Sequence, residues 1–303
     1  MRFLCGTLLL LVFSTLGYAQ RIDSAVAHIE QKGFFVPNAF GTATAPFLAY
    51  KKDPNGGLTI SGTMPVYYFD FRGNVLPGCP YEYTSLPFEK KNRAVVTRNG
   101  LVGMIDQQGR VVVPLRFQRL ELTNHPNGWL RVRLNGHWGL IDSTGQVQLE
   151  PSYDEIEPFS DGMAAVKQTG KWGFIDLAGR EVIAPMYSHV WRSFHEGFAA
   201  VDTTTQPNKN AVGFINKQNQ AITAFKYAYP FCVNRRNTHS RDYTSYYQFR
   251  CGYALVRNNN CETGVIDTLG REVLPVRFYR IEITDSTLVG HRNKQQMTYK
   301  TPR

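Results

Sequence analysis

What most constrains this chain is that it repeats itself. KWGFIDLAGREV, Lys171 to Val182, stands one period after HWGLIDSTGQVQ, His137 to Gln148. The two clearest copies run HWGLIDSTGQVQLEPSYDEIEPFSDGMAAVKQTG (137–170) and KWGFIDLAGREVIAPMYSHVWRSFHEGFAAV (171–201). LVGMIDQQGRVVVPLRFQRLELTNHPNGWLRVRLNG (101–136) fits them with Val102 in place of Trp. AVGFINKQNQAITAFKYAYPF (211–231) fits and resumes, after an insertion, at GYALV (252–256). TGVIDTLGREVLPVRFYRIEITDSTLV (263–289) is a fifth copy, and YYFDFRGNVLP (67–77) a worn first one. One acidic position recurs at Asp70, Asp106, Asp142, Asp176 and Asp267, with Asn216 standing in once. A recurrent period of this size marks a repeat architecture, not a string of unrelated domains.

The template has a physical reading. Trp172 and Phe174 alternate with Gly173 and Ile175, as Trp138 and Leu140 do with Gly139 and Ile141. That alternation predicts a short strand with large residues on one face. Asp-x-x-Gly follows, Asp176 to Gly179 and Asp142 to Gly145. Asp at the first position of a type I turn accepts the backbone N–H two residues on. Gly at the fourth takes the left-handed conformation that rejoins the strands. The fourth copy replaces the pair by Asn216 and Asn219, the best remaining mimic at both places. A catalytic carboxylate would not exchange so freely for an amide, so the recurrent Asp is read as a turn residue.

A β-rich run such as VVVP or EVIAP comes next. Its prolines, Pro114, Pro151, Pro185 and Pro275, end the strand or mark a sheet edge. An aromatic follows, Phe117, Tyr153, Tyr187, Tyr227 or Phe278. Each unit then closes on GWLRV (128–132), GMAAV (162–166), GFAAV (197–201) or GYALV (252–256). Three or four short strands per unit cannot bury their own aromatic face; stacked units can.

Trp-Gly, Ile-Asp, the turn glycine, Pro-x-Tyr and Gly-x-Ala-x-Val at fixed offsets resemble the WG-containing β repeats. The copies cover about 100–290, with the weaker one from 67 (67–100, 101–136, 137–170, 171–210, 211–262 and 263–290). Trp precedes Gly only at Trp138 and Trp172. The expected fold is all-β, tandem repeats of short antiparallel strands stacked as an open twisted array. A closed β-propeller is the alternative. The resemblance implies a noncatalytic interaction module without cofactor or metal.

Outside the repeats, MRFLCGTLLLLVFSTLGYAQ opens the chain. One base, an apolar run and a small-x-small site read as a signal peptide over 1–19. The run is short of the roughly 18–20 residues a spanning helix needs. No later run is long enough to span, so export to a periplasm or the exterior is expected. Residues 20–66 read as a capping region. Asp23 or Ser24 would start a short helix with Ile22, Val26 and Ile29 on one side, and Gly33 would end it. Residues 291–303 read as a basic tail. Net charge is +10, but export removes most nucleic-acid targets, and the partner expected is a protein or glycan. Cys79, Cys232, Cys251 and Cys261 form an even, disulfide-competent set, with no zinc-type spacing.

The candidate site is the insertion CVNRRNTHSRDYTSYYQFRC in the fourth copy, fenced by Cys232 and Cys251. A disulfide closing a loop of that size contributes roughly 3 kcal/mol. Arg235, Arg236 and Arg241 lie beside Tyr243, Tyr246 and Tyr247, and Arg and Tyr are enriched at binding hot spots. A decorative surface hairpin is the plainer reading of the same residues. His195-Glu196-Gly197 occupies the place of Ser160-Asp161-Gly162 and is read as a turn. Trp138 and Trp172 are read as core before sugar-stacking platforms. No P-loop, GxSxG, HExxH or calcium-loop spacing occurs. Two functional classes follow: an exported binding scaffold, and a glycan-acting enzyme whose carboxylates the sequence does not point out.

Overall fold

The structure, a computed structural model, describes residues 21–37, 46–53, 65–86, 92–203, 212–229, 246–284, 287–293 and 295–301. Within them lie one helix, α1 (residues 21–31), and seven small sheets. The N-terminal sheet holds β1 (Phe34–Phe35), β2 (Phe47–Lys51) and β3 (Val66–Phe69). The next holds β4 (Tyr83–Leu86), β5 (Arg93–Arg98), β6 (Leu101–Asp106) and β7 (Val111–Phe117). Then come β8 (Arg119–Leu122), β9 (Leu130–Leu134), β10 (His137–Ile141) and β11 (Val147–Tyr153). The fourth sheet is β12 (Glu155–Ile156), β13 (Met163–Gln168), β14 (Lys171–Asp176) and β15 (Glu181–Tyr187). Three-stranded sheets follow: β16 (His189–His195), β17 (Phe198–Asp202), β18 (Val212–Asn216); β19 (Tyr253–Arg257), β20 (Thr263–Asp267), β21 (Glu272–Phe278); and β22 (Arg280–Ile283), β23 (Thr287–Arg292), β24 (Gln295–Lys300).

In every sheet, strands adjacent in sequence are adjacent in space, and none of the seven closes on itself. The all-β expectation with a short N-terminal helix therefore holds. The chain divides into two compact units. One is Met1–Leu122, Trp129–Gly136 and Leu140–Val147; the other is Thr123–Gly128, His137–Gly139 and Gln148–Arg303.

Helix α1 follows its apolar spacing. Ala25 and Ile29 are buried, and Ile22 and Val26 pack beside them against Phe47, Ala49 and Phe69. Gly33, at φ +82°, donates to the Glu30 carbonyl at 3.0 Å and stops the helix. Asp23 and Ser24 lie inside the first turn, not before it, because residue 21 is already helical.

Each full sheet is built from two hairpins of different chemistry. β5–β6, β9–β10 and β13–β14 turn at Asn99-Gly100, Asn135-Gly136 and Thr169-Gly170, with both residues at positive φ. That is the type I′ geometry favoured by strand twist. The second hairpin, into β7, β11 or β15, uses Asp-x-x-Gly. The strand carrying the Trp-Gly pair is thus internal, and the proline strand is an edge. Pro114, Pro151, Pro185 and Pro275 sit within β7, β11, β15 and β21 and do not end them. An edge strand tolerates the missing N–H.

The strand passes two or three residues beyond each proline to a buried aromatic: Phe117, Tyr153, Tyr187 or Phe278. A single residue, Gln118, Asp154, Ser188 or Tyr279, then carries the chain into the next sheet.

Neighbouring residues of one strand serve two layers. In β14, Phe174 packs with Ala165, Ile183, Tyr187 and Phe194, and this cluster also takes Ile215 from β18. The adjacent Phe214 faces the following cluster, with Tyr227, Tyr247, Phe249 and Ile266. In the other unit Ile105 packs with Tyr68, Tyr81 and Ala94, while Met104 packs with Phe117, Leu130 and Ile141. Each large side chain buried this way contributes about 1.5–3 kcal/mol, and stacking of sheets supplies the burial.

The stretch 291–303 is not simply a tail. Gln295–Lys300 pairs antiparallel with Thr287–Arg292 throughout. In this last sheet Ile281, Leu288 and Tyr299 face the Phe278 cluster. The register puts Arg280, Glu282, His291, Gln296, Thr298 and Lys300 on the opposite face, with Val289. A face of this kind offers little apolar surface for another repeat to stack on.

Candidate functional site

The recurrent acidic residues are fully engaged as turn residues. Asp70, Asp106, Asp142, Asp176 and Asp267 accept the backbone N–H two residues on at 2.8–3.0 Å. The same oxygen accepts the N–H four residues on at 2.9–3.1 Å. Asn216 repeats both bonds, at 3.1 and 2.9 Å. The glycine position is left-handed at Gly109, Gly145, Gly179 and Gly270, and also at Asn219. Burial pushes the Asp106, Asp176 and Asp267 carboxyls up. The amides and the guanidiniums of Arg110, Arg180 and Arg271 outweigh it and hold them below the ordinary carboxylate range. A carboxylate held ionised by its own turn is a poor general acid.

One such turn escaped the sequence reading. Asn258 accepts from Asn260 and Glu262 at 3.0 Å each, and Cys261 takes the left-handed place at φ +61°. Asn-x-x-Cys hides the motif because both of its diagnostic letters have changed.

The Trp-Gly glycine is a packing requirement. A Cβ on Gly173 would stand 2.3 Å from the Ile183 carbonyl oxygen, and one on Gly139 2.6 Å from that of Leu149. The proline strand bulges over this position, where the β14–β15 register shifts. Trp138 is buried and Trp172 half-buried, with the Lys167 ammonium 5.4 Å from the Trp172 ring centre. Both are scaffold side chains.

Of the insertion, Cys232, Arg235, Arg236, Arg241 and Tyr243 lie outside the described residues. Tyr246, Tyr247 and Cys251 are described, and they differ. Tyr247 is 1% exposed. It stacks on Phe214, its hydroxyl donates to the Ala228 carbonyl, and that hydroxyl also accepts the Arg257 N–H at 3.2 Å. Tyr247 is therefore core and is withdrawn as a binding residue. An aromatic in a Tyr-rich insertion carries no sign of burial, because no repeat partner exists to compare it with. Tyr246 is half-buried. The Arg257 guanidinium lies 3.7 Å from its ring centre and donates to its hydroxyl, and Arg192 Nε donates to its carbonyl at 3.2 Å. Cys251 is exposed, at φ +51° ahead of Gly252.

Beside the end of the insertion opens a cleft of about 510 Å³, lined by Gln248, Arg250, Tyr253, Leu255, Ile283 and Leu288 among others. Its lining mixes apolar side chains with a smaller polar share. Arg250 donates to Gln248 at 3.4 Å and forms no ion pair among the described residues. Ile283 is 61% exposed. The sequence drew attention to the insertion but not to Tyr253, Leu255 or Ile283, which occupy ordinary repeat positions. Among the described residues no group of His, Cys, Asp or Glu is placed to hold a metal, and no helix is long and apolar enough to cross a membrane.

No curated protein matches the chain. Among solved structures, a eukaryotic initiation factor is similar at 10% identity, over 82% of this chain and 79% of that one, with a TM-score of 0.39. Hsv2p of Kluyveromyces lactis is similar at 10% identity over 69% and 71%, TM-score 0.33. AztD of Citrobacter koseri is similar at 12% identity over 84% and 80%, TM-score 0.26. The WG containing repeat family matches residues 103–137, 138–172 and 172–202, the stretch where internal Trp-Gly strands, Asp turns and proline edges recur most faithfully. Residues 103–202 of this chain are three consecutive WG containing repeats.

Proposed function

We propose that the protein is an exported, noncatalytic repeat scaffold that binds a protein or glycan, with the cleft at the end of the insertion as its contact region. The observation that carries this reading is the division of labour among polar residues. The recurrent carboxylates are spent inside turns, whereas Arg250 lines a largely apolar cleft without an acidic partner among the described residues. An arginine beside a tyrosine and exposed aliphatic groups is the composition of a contact surface. Export rests on the leader-like start of the sequence.

The test is a pull-down from envelope and medium fractions with the purified mature protein. A deletion of residues 233–245 and an Arg250→Glu variant run alongside. The deletion stops at 245 because Tyr247 and Phe249 are core. Capture by the intact protein that is lost in both variants supports the reading. Equal capture by all three rules out this region, and absence of any capture counts against the scaffold reading itself.

A further inference from the structure

At one equivalent position near the end of the closing strand, two repeats place a charged residue opposite a complementary partner, whereas Arg133 of β9 faces Arg119 and Thr97 of β5 faces Tyr83. In β13 the residue is Lys167, which faces Glu155 of β12 and binds it at 3.0 Å. In β17 it is Asp202, fully buried, facing His189 of β16 with Nδ1 3.8 Å away. In β19 it is Arg257. The insertion removes the flanking antiparallel strand at this point. The segment that takes its place bridges β19 in parallel at Tyr246 and Leu255, so Arg257 meets a tyrosine where Lys167 meets Glu155 and Asp202 meets His189.

Arg257 is 6% exposed, forms no ion pair among the described residues, and its Nε–H is buried without an acceptor. Its remaining fork is oriented by Tyr246, through the ring face and the hydroxyl. Arg192 brings a second guanidinium to the same tyrosine, at its carbonyl. A buried cation with an unmatched donor is costly, and an oxyanion is the group that satisfies both the charge and the N–H.

We infer that Arg257, oriented by Tyr246, anchors an oxyanion-binding site that takes a carboxylate or sulfate group. The site stands apart from the cleft reading: it would hold even if the cleft bound nothing. The oxyanion chemistry is common to a free anion and to an acidic sugar, and the two are separated by the probes used.

Equilibrium dialysis with labelled inorganic sulfate, at fixed ionic strength in chloride, tests it directly on the intact protein. Glucuronate serves as the carboxylate-bearing sugar in a parallel arm. Saturable binding of either probe is expected, weakened at least roughly tenfold in Arg257→Met, as loss of a charge-assisted hydrogen bond implies. Tyr246→Phe, which keeps the ring and the guanidinium, should weaken binding less. Binding of sulfate alone assigns a free tetrahedral anion; binding of glucuronate assigns an acidic sugar. No saturable binding of either probe to the wild-type protein overturns the proposal. So does binding that is unchanged in a folded Arg257→Met. If that variant does not fold, unchanged binding in Arg257→Lys, which keeps charge but loses the fork, overturns it as well.

Discussion

Glu196 holds the turn of the next repeat: its two carboxylate oxygens accept the backbone N–H groups of Cys251 at 2.7 Å and Gly252 at 2.8 Å. Asp161 does the same one repeat earlier, accepting from Gly197 at 2.6 Å while the Lys217 ammonium lies 3.0 Å from its other oxygen. These two turn tips are thus linked in series, the left-handed Asp161 and Glu196 each reaching the glycine of the following copy. Glu196→Ala should lower stability by about 1–2 kcal/mol, read as a lower urea midpoint with an unchanged slope. Glu196→Gln, which retains one acceptor, should lose less. Equal losses would assign the effect to charge alone.

Asp176 should tolerate the change that the fourth copy already carries. Asp176→Asn keeps the acceptor for Ala178 and Arg180, as Asn216 does for Gln218 and Gln220. It is expected to cost under about 0.5 kcal/mol, against roughly 1–2 kcal/mol for Asp176→Ala, which leaves two turn amides to water. Thermal midpoints of the two variants check this. A catalytic or metal-binding carboxylate would instead make Asp176→Asn as damaging as Asp176→Ala in an activity assay.

Acid should unfold the protein partly through these turns. The Asp106, Asp176 and Asp267 carboxyls lie below their ordinary range when folded. A group lowered in the folded state adds stability that is complete above its unfolded value of about 4 and lost as pH falls through the folded one. The wild-type urea midpoint should therefore drop more between pH 5 and pH 3 than that of the triple Asp→Asn variant at these positions. Parallel drops would show that the turns carry no proton-linked stability.

The glycine of the Trp-Gly pair should be replaceable in one copy and not in another. Gly173→Ala drives a Cβ to 2.3 Å from a backbone oxygen, and a β-bulge cannot retreat without breaking its ladder. A loss of about 3 kcal/mol or more is expected. Gly213→Ala meets the ring of Phe225 at 2.8 Å, a side chain that can swing aside. Its cost should be about 1–2 kcal/mol. Calorimetric midpoints of the two variants would show it.

The sequence was most legible where a residue acts on its own neighbours. The Asp176 turn, the Gly33 helix stop and the Glu196-Gly197 tip all follow from one or two letters and their backbone geometry. It was less legible where function depends on what crosses overhead. Nothing around Gly173 announces that a proline strand will bulge onto it, and nothing in Phe117-Gln118-Arg119 marks a passage between sheets. Gln118 resembles any polar strand residue, yet its side chain accepts the Gly136 N–H at 2.8 Å, as Asp154 accepts that of Gly170 at 3.2 Å. The insertion was found by its length and misjudged in detail. Tyr246 and Tyr247 are adjacent and chemically identical, and only the alternation of the paired chain sends one beside Arg257 and the other into the core.

The alternation in β22–β24 also determines how such a chain can change its length over generations. A copy appended after Lys300 would meet Arg280, Glu282, His291 and Thr298, and would find almost nothing apolar to lie against. A copy spliced between existing ones would meet Ile and Phe above and below, as Phe214 and Ile215 do. Room for a further period therefore lies between the apolar layers and not against the polar face of β22–β24.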